Sequence, residues 1–144
     1  PTRRSSDLRL EAGTPNIAGV IGFGYVIKYL LGIGFENIHN KEIELKEYLV
    51  GELKKIPQIK IYNEHSKSGI VTINYEEIFP QDLSIYLDKY NICTRAGSHC
   101  AKILKDEINI KNTLRISLYF YNTKDEIDKL IDALKNPNIK EDII

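Results

Sequence analysis

The residues best suited to nucleophilic chemistry stand together in one segment, which reads Arg-Ala-Gly-Ser-His-Cys from Arg95 to Cys100. The pattern predicts a strand that delivers Arg95, a tight turn that Gly97 permits, and a short helix whose entrance holds Cys100. Helix N-termini and neighbouring cations stabilise a thiolate, which is the nucleophilic form of cysteine. His99 could add positive charge when protonated, or carry a proton. An inert, buried cysteine beside a helix-capping serine fits the same local pattern, so both interpretations stay open here.

The other cysteine, Cys93, provides a contrast. It lies between Ile92 and Thr94 in an apolar segment with no activating group beside it, which predicts core filling rather than reactivity. Two cysteines seven positions apart, in a chain with no others, do not make a disulfide framework. We therefore expect a reducing, cytoplasmic setting.

Arg115 is the second candidate, because it stands inside an alternating segment that predicts a strand over residues 113–121. A guanidinium held on a strand presents a planar fork that suits a carboxylate. An outward-facing arginine paired with an exposed acid would give the same pattern. Both interpretations carry similar weight on the residues alone.

A weaker signal precedes the first predicted helix. Between Glu11 and Asn16, backbone amides and the Thr14 hydroxyl stand ahead of a helix that Pro15 opens, which could form a phosphate contact. A proline-initiated helix without a ligand is the commoner meaning of such a pattern. No spacing predicts a metal site, since a Cys and a His adjacent in sequence do not readily face one ion.

The elements that must position these residues read as an α+β domain, a small sheet of about four strands with helices packed on it. Two helices lead, the first from Ile17 and the second over residues 37–55. The first is apolar almost all round, so we expect it to be buried. The remaining helices are predicted at residues 80–90, after residue 96, and after a capping box that begins at Thr123. Strands are predicted at residues 59–62, 69–75, 91–95 and 113–121.

Composition and charge exclude several kinds of partner. The chain has 20 basic and 20 acidic residues and a formal net charge of zero, so it lacks the basic footprint of a nucleic-acid-binding protein. The most apolar stretch, residues 17–35, contains Lys28 and five glycines and makes a poor membrane span. We therefore expect neither nucleic acid nor a membrane as a partner.

Both ends differ from the rest of the chain. Residues 1–8 are rich in Arg and Ser, whereas later basic residues are almost all Lys, and the chain contains no methionine. We expect residues 1–8 to be a non-native or disordered leader, residues 9–136 to be the domain, and residues 137–144 to be a frayed tail. The whole chain is expected to be a fragment.

Three blocks in order carry a family resemblance: RLEAGTPN at 9–16, RAGSHCA at 95–101, and TLRIS at 113–117 with Tyr-Asn-Thr at 121–123. Together they resemble class V aminotransferase-fold enzymes, in particular the SUF-type cysteine desulfurase and selenocysteine lyase group. The resemblance covers the chain from Arg9 to about Leu134. It implies the C-terminal domain of a fold-type I pyridoxal-phosphate enzyme.

The resemblance implies sulfur transfer from L-cysteine. In these enzymes pyridoxal 5'-phosphate is held on a lysine in a large domain that precedes this region, and the thiolate matching Cys100 attacks the substrate sulfur. L-alanine leaves and a persulfide remains on the enzyme. His99 belongs to the catalytic motif, Arg115 matches the arginine that binds the substrate carboxylate, and Arg95 assists. Thr14 matches a residue that touches the cofactor phosphate across a homodimer.

The persulfide in such enzymes passes to a SUF-type acceptor protein for iron–sulfur cluster assembly. This chain departs from the pattern at Ser98, where relatives often have histidine, and at Ile103, where they have proline. The cofactor lysine and the residues that hold the cofactor ring belong to the preceding domain, so we expect the chain alone to be inactive. Two alternatives stay open: a selenocysteine lyase, and a stand-alone, non-catalytic module that binds a small carboxylate or a partner protein.

Overall fold

The computed structural model describes residues 13–107 and 109–143, so the leader at 1–8 and the start of the 9–16 block lie outside the described residues. The described chain divides into two compact units, one up to Asn37 and one from Ile38. Its helices are α1 (Ile17–Ile33), α2 (Phe35–Leu53), α3 (Pro80–Asp88), α4 (Lys102–Glu107), α5 (Lys124–Leu134) and α6 (Ile139–Asp142). Its strands are β1 (Ile59–Ile61), β2 (Ile70–Tyr75), β3 (Arg95–Gly97) and β4 (Thr113–Ser117).

The first unit contains α1 and the first three residues of α2. The Asn16 side chain accepts a hydrogen bond from the Gly19 amide at 3.0 Å, and the helix ends at Gly34, whose φ of 89° suits glycine. No residue of α1 is buried, and Val20 and Phe23 are 69% and 66% exposed. The prediction of a buried helix is wrong for this chain alone, since a helix apolar on every side needs neighbours on every side.

Among the described residues, no single helix is long and apolar enough to cross a bilayer. Helices α1 and α2 meet the criteria only as a bent pair, and only by length and composition.

The second unit is built on a four-stranded antiparallel sheet in the order β1-β2-β4-β3. The predicted α+β class and a sheet of four strands are confirmed, but β3 lies at Arg95–Gly97 instead of residues 91–95, and β4 ends at Ser117 instead of residue 121. One face of the sheet carries the core, because strand side chains alternate between faces and the apolar set lies on one of them. The core includes Leu45, Leu49 and Leu53 from α2, Val71 and Ile73 from β2, Leu114 and Ile116 from β4, and Leu130 and Leu134 from α5.

Helix α5 starts as predicted. Thr123 accepts from the Glu126 amide at 3.3 Å, while the Glu126 carboxylate accepts from the Thr123 amide at 3.0 Å, which completes the capping box. Its neighbour α2 contains a buried charged residue. Lys46 is only 2% exposed, and its ammonium donates to the Asn63 carbonyl at 3.1 Å and the Ser66 hydroxyl at 2.6 Å.

The C-terminal residues behave differently from the frayed tail that we expected over 137–144. Ile139 is buried and is the first residue of α6. The Asn136 side-chain amide donates to the Asp142 carboxylate at 2.8 Å, and Lys89 donates to the Asp142 carbonyl at 2.6 Å. These contacts join the end of the described chain to α3 and α5.

Candidate active site

The strand register brings the two candidate arginines together. Arg95 on β3 is the direct antiparallel partner of Arg115 on β4, so both side chains leave the same face of the sheet. It is the face opposite to Leu114 and Ile116, which point into the core. Like charges placed directly opposite each other destabilise a sheet, so this arrangement favours an anion between them.

Arg115 is partly buried in this face. Its Nε atom is buried and has no hydrogen-bond partner among the described residues. Within the same described part of the chain, no carboxylate forms an ion pair with it. A buried guanidinium donor without a partner is costly, so the alternative of an outward arginine paired with an exposed acid is not what this structure contains.

Cys100 stands in a tight turn that follows β3. The Ala101 amide donates to the Ser98 carbonyl at 3.0 Å, and the two central residues, His99 and Cys100, have φ of 55° and 58°. Positive φ at both central positions is the pattern of a type I′ turn. The predicted helix follows, because α4 begins at Lys102, and Cys100 lies in the turn just ahead of it.

Gly97 connects this turn to β3. Its φ is 125°, a conformation that side chains with a Cβ rarely adopt. No described atom lies within 4 Å of the position a Cβ would take. Glycine is therefore required here for backbone conformation rather than for space.

The thiol of Cys100 is exposed and has a cationic neighbour. The Nη2 atom of Arg95 lies 3.9 Å from the Cys100 sulfur and can donate to it. Arg95 therefore has two neighbours: its guanidinium lies next to the Cys100 thiol, and its position on β3 is directly opposite Arg115 on β4. An exposed sulfur beside a guanidinium, with a second guanidinium on the same face, can meet a small substrate that carries both a sulfur and a carboxylate.

His99 points in another direction. Its Nε2 atom lies 3.1 Å from the carbonyl oxygen and 2.9 Å from the hydroxyl oxygen of Thr113, the buried first residue of β4. Thr113 was not singled out in the sequence, since a threonine at the start of a strand carries no signal of such a contact. The pairing joins residues 14 positions apart.

The prediction for Cys93 is wrong. This cysteine is exposed, and it lines a small surface groove with Ser84, Asp88 and Ile92. The reason is the strand boundary: β3 begins at Arg95, so Cys93 precedes the strand and its alternation. Both cysteines are therefore accessible thiols.

Thr14 lies in the first unit. It is exposed, between Gly13, whose φ is 83°, and the Asn16 cap of α1. Glu11, in the same predicted phosphate-binding segment, lies outside the described residues. Over the described ranges, no group of three or more His, Cys, Asp or Glu residues could hold a metal ion.

Comparisons with known proteins agree on one family. The family model for class-V aminotransferases matches residues 2–130. The chain is 38% identical over 128 residues to a probable cysteine desulfurase of Ureaplasma parvum, and 42% identical over 129 residues to one of Staphylococcus aureus. The aligned regions cover 89% and 88% of this chain but only 32% and 31% of those proteins, so the chain spans about a third of their length.

Solved structures give the same result. The apo cysteine desulfurase of Thermococcus onnurineus superimposes with a TM-score of 0.84 at 31% identity, over 92% of this chain and 34% of that one. The S-sulfonic acid form of a cysteine desulfurase from Escherichia coli gives 0.82 at 31% identity, over 89% and 32%. The fold of the chain is therefore similar to one part of these enzymes.

Proposed function

This chain belongs to the class-V aminotransferase family, and on that premise we propose that it is the C-terminal part of a pyridoxal-phosphate-dependent cysteine desulfurase. The observation that carries the proposal is the contact between the exposed Cys100 sulfur and Arg95 at 3.9 Å, on a strand that aligns Arg95 with Arg115. The desulfurase names of the similar proteins support the same activity.

The proposed substrate is L-cysteine, bound through its carboxylate. Arg115 offers a buried Nε donor without a partner among the described residues, and the opposed Arg95 adds a second guanidinium. A carboxylate there would accept a hydrogen bond from that donor, and its negative charge would offset the repulsion between the two guanidinium groups. The substrate thiol would then lie near the Cys100 turn.

In the proposed reaction the Cys100 thiolate attacks the substrate sulfur. A sulfur–sulfur bond forms and the carbon–sulfur bond of the substrate breaks, with its electron pair left on the carbon. That carbon takes up a proton to give L-alanine, and Cys100 becomes a persulfide. Cys100 is the nucleophile in this scheme, while Arg115 and Arg95 orient the substrate.

Pyridoxal 5'-phosphate would supply the electron sink for this chemistry. The exposed Thr14 hydroxyl, ahead of the N-terminus of α1, has the donor chemistry of a single phosphate contact. We assign the remaining cofactor contacts to the part of the relatives that this chain does not match. On this basis the chain alone is catalytically inactive.

The proposed protein partners are an acceptor that reaches the exposed Cys100 and a second subunit that covers the exposed helix α1. A persulfide on the exposed Cys100 could be reached by the thiol of a SUF-type acceptor protein that serves iron–sulfur cluster assembly. The uncovered apolar surface of α1 supports a homodimeric parent in which other protein covers it. Two accessible free thiols suit a cytoplasmic location.

The test joins this chain to the N-terminal two-thirds of the Staphylococcus aureus relative. The chimera should release L-alanine from L-cysteine when pyridoxal phosphate is present, whereas the 144-residue chain under the same conditions should release none. Alanine release by the chain alone would overturn the assignment of the cofactor contacts. A folded, cofactor-loaded chimera without turnover would count against the desulfurase assignment itself.

A further inference from the structure

We infer that His99 is a positioning residue, whose imidazole fastens the Cys100 turn to Thr113 at the start of β4 and so holds the thiol beside Arg95. The inference deepens the proposed function and rests on it for the purpose of the turn. Its geometry is independent of any cofactor or substrate.

The turn needs such a support. His99 and Cys100 are consecutive residues in the left-handed region, which residues other than glycine enter at a cost. Conformations of this kind persist only where the surroundings hold them in place. Within the turn, a single backbone hydrogen bond, Ala101 to Ser98, closes the four residues.

The His99 side chain supplies the support from outside the turn. A carbonyl oxygen only accepts hydrogen bonds, so the contact with the Thr113 carbonyl requires hydrogen on Nε2. The Thr113 hydroxyl oxygen shares that hydrogen at 2.9 Å. Thr113 is a fixed point, because it is 3% exposed and pairs with Gly97 across the sheet.

Among the described contacts, two join the turn to β4. The ladder pair of Gly97 with Thr113 holds its beginning, and His99 holds its middle. Between them the chain is constrained to present Cys100 where Arg95 can reach the sulfur. Through its Nε2 contact with Thr113, His99 orients the turn that carries the thiol.

The experiment measures alkylation of the thiols of the 144-residue chain by iodoacetamide, with peptide mass spectrometry to follow each cysteine. Cys93 is the internal reference, since it is also exposed and lies in the same molecule. The variants are His99→Asn, which tolerates positive φ but has a shorter side chain, and Thr113→Val, which removes the shared hydroxyl. Thr113→Ser is the matched control that keeps it.

We expect His99→Asn to lower the Cys100-to-Cys93 rate ratio about fivefold, the effect of losing one hydrogen bond that holds the thiol near Arg95. Thr113→Val should lower it by about half that factor, because the carbonyl acceptor remains. Thr113→Ser, which keeps the hydroxyl, should give the same Cys100-to-Cys93 rate ratio as the wild type. The double variant should be no slower than His99→Asn alone, since both changes remove one interaction.

Two results would overturn the inference. The first is a Cys100-to-Cys93 rate ratio that is unchanged in both variants. The second is a rate ratio that His99→Asn lowers and Thr113→Val leaves unchanged, which would assign His99 a role at the sulfur itself. Far-UV circular dichroism and the Cys93 rate identify a variant that fails to fold. If His99→Asn fails, the comparison of Thr113→Val with Thr113→Ser decides alone. The assay needs no turnover, so its outcome is separate from that of the desulfurase proposal.

Discussion

At the scale of single residues, the site is defined by an unfavourable arrangement. Arg95 and Arg115 occupy opposite positions on neighbouring strands, and the Nε atom of Arg115 is buried without a hydrogen-bond partner in the described part of the chain. Neither feature stabilises the domain, because like charges repel across a ladder and an unsatisfied donor keeps its desolvation cost. Both would become favourable in the proposed complex with a substrate carboxylate.

This arrangement predicts the effect of removing one guanidinium. In the full-length chimera, Arg115→Gln should raise KM for L-cysteine and lower kcat/KM about 10- to 100-fold, the range expected for a lost charge-assisted hydrogen bond. Lys60→Gln is the matched control, since Lys60 is a cation on the same face of the sheet at its far edge. Steady-state alanine release measures both. Equal losses in the two variants would indicate a general charge effect and contradict a carboxylate site.

At the scale of elements, the site lies on one face of the sheet, and helices α2 and α5 pack on the opposite, core face and contact each other. Tyr48 on α2 donates to the Asp128 carboxylate on α5 at 2.6 Å, and Lys124 lies 5.3 Å from the centre of the Tyr48 ring. The hydrogen bond to Asp128 is the main cause that raises the pKa of Tyr48 to about 12. The contact therefore links α2 to α5 over the core face of the sheet.

The raised pKa gives this contact a defined pH window. The folded value lies above the ordinary tyrosine value of 10.0, so the stabilisation is complete below about pH 10 and is lost as the pH rises through about 12. Tyr48→Phe should flatten that part of the stability profile, measured by urea unfolding at each pH. Tyr121→Phe, at a residue 71% exposed, is the control. An unchanged profile in Tyr48→Phe would show that the linkage is absent.

At the scale of the whole molecule, the uncovered surface of α1 is the dominant feature. None of its residues is buried, and large apolar side chains lie all around it. Exposed apolar patches of this kind mark interfaces or promote aggregation. They are the expected result when a third of a larger fold is present without the rest.

The chain alone should therefore self-associate as its concentration rises. Sedimentation velocity should show oligomers, and the double change Val20→Glu and Phe23→Glu should shift the population toward monomer without loss of the second unit's fold. In the chimera the wild-type α1 should no longer cause this behaviour, because the N-terminal part would cover it. A monomer at all concentrations would argue against an interface on α1.

At the level of the whole molecule, features set by local sequence patterns could be predicted from the sequence, and features set by long-range contacts could not. The capping box at Thr123 and the strand beginning at Thr113 follow from local patterns, and both are present, although β4 ends at Ser117 instead of residue 121. The pairing of Arg95 with Arg115, the contact of His99 with Thr113 and the burial of Lys46 depend on partners distant in the chain. The spacing of apolar residues within one segment cannot predict contacts between residues that are distant in the sequence. The failure at Cys93 has the same origin, since it turned on where β3 begins.

The proposed transfer of sulfur from L-cysteine to Cys100 is tested most directly by the mass of the Cys100 peptide after a single turnover in the chimera. We expect this peptide to gain one sulfur atom. Cys100→Ser should abolish both this gain and alanine release, and Cys93→Ser should change neither. Full alanine release by Cys100→Ser, or extra sulfur on Cys93 instead, would contradict the proposed transfer.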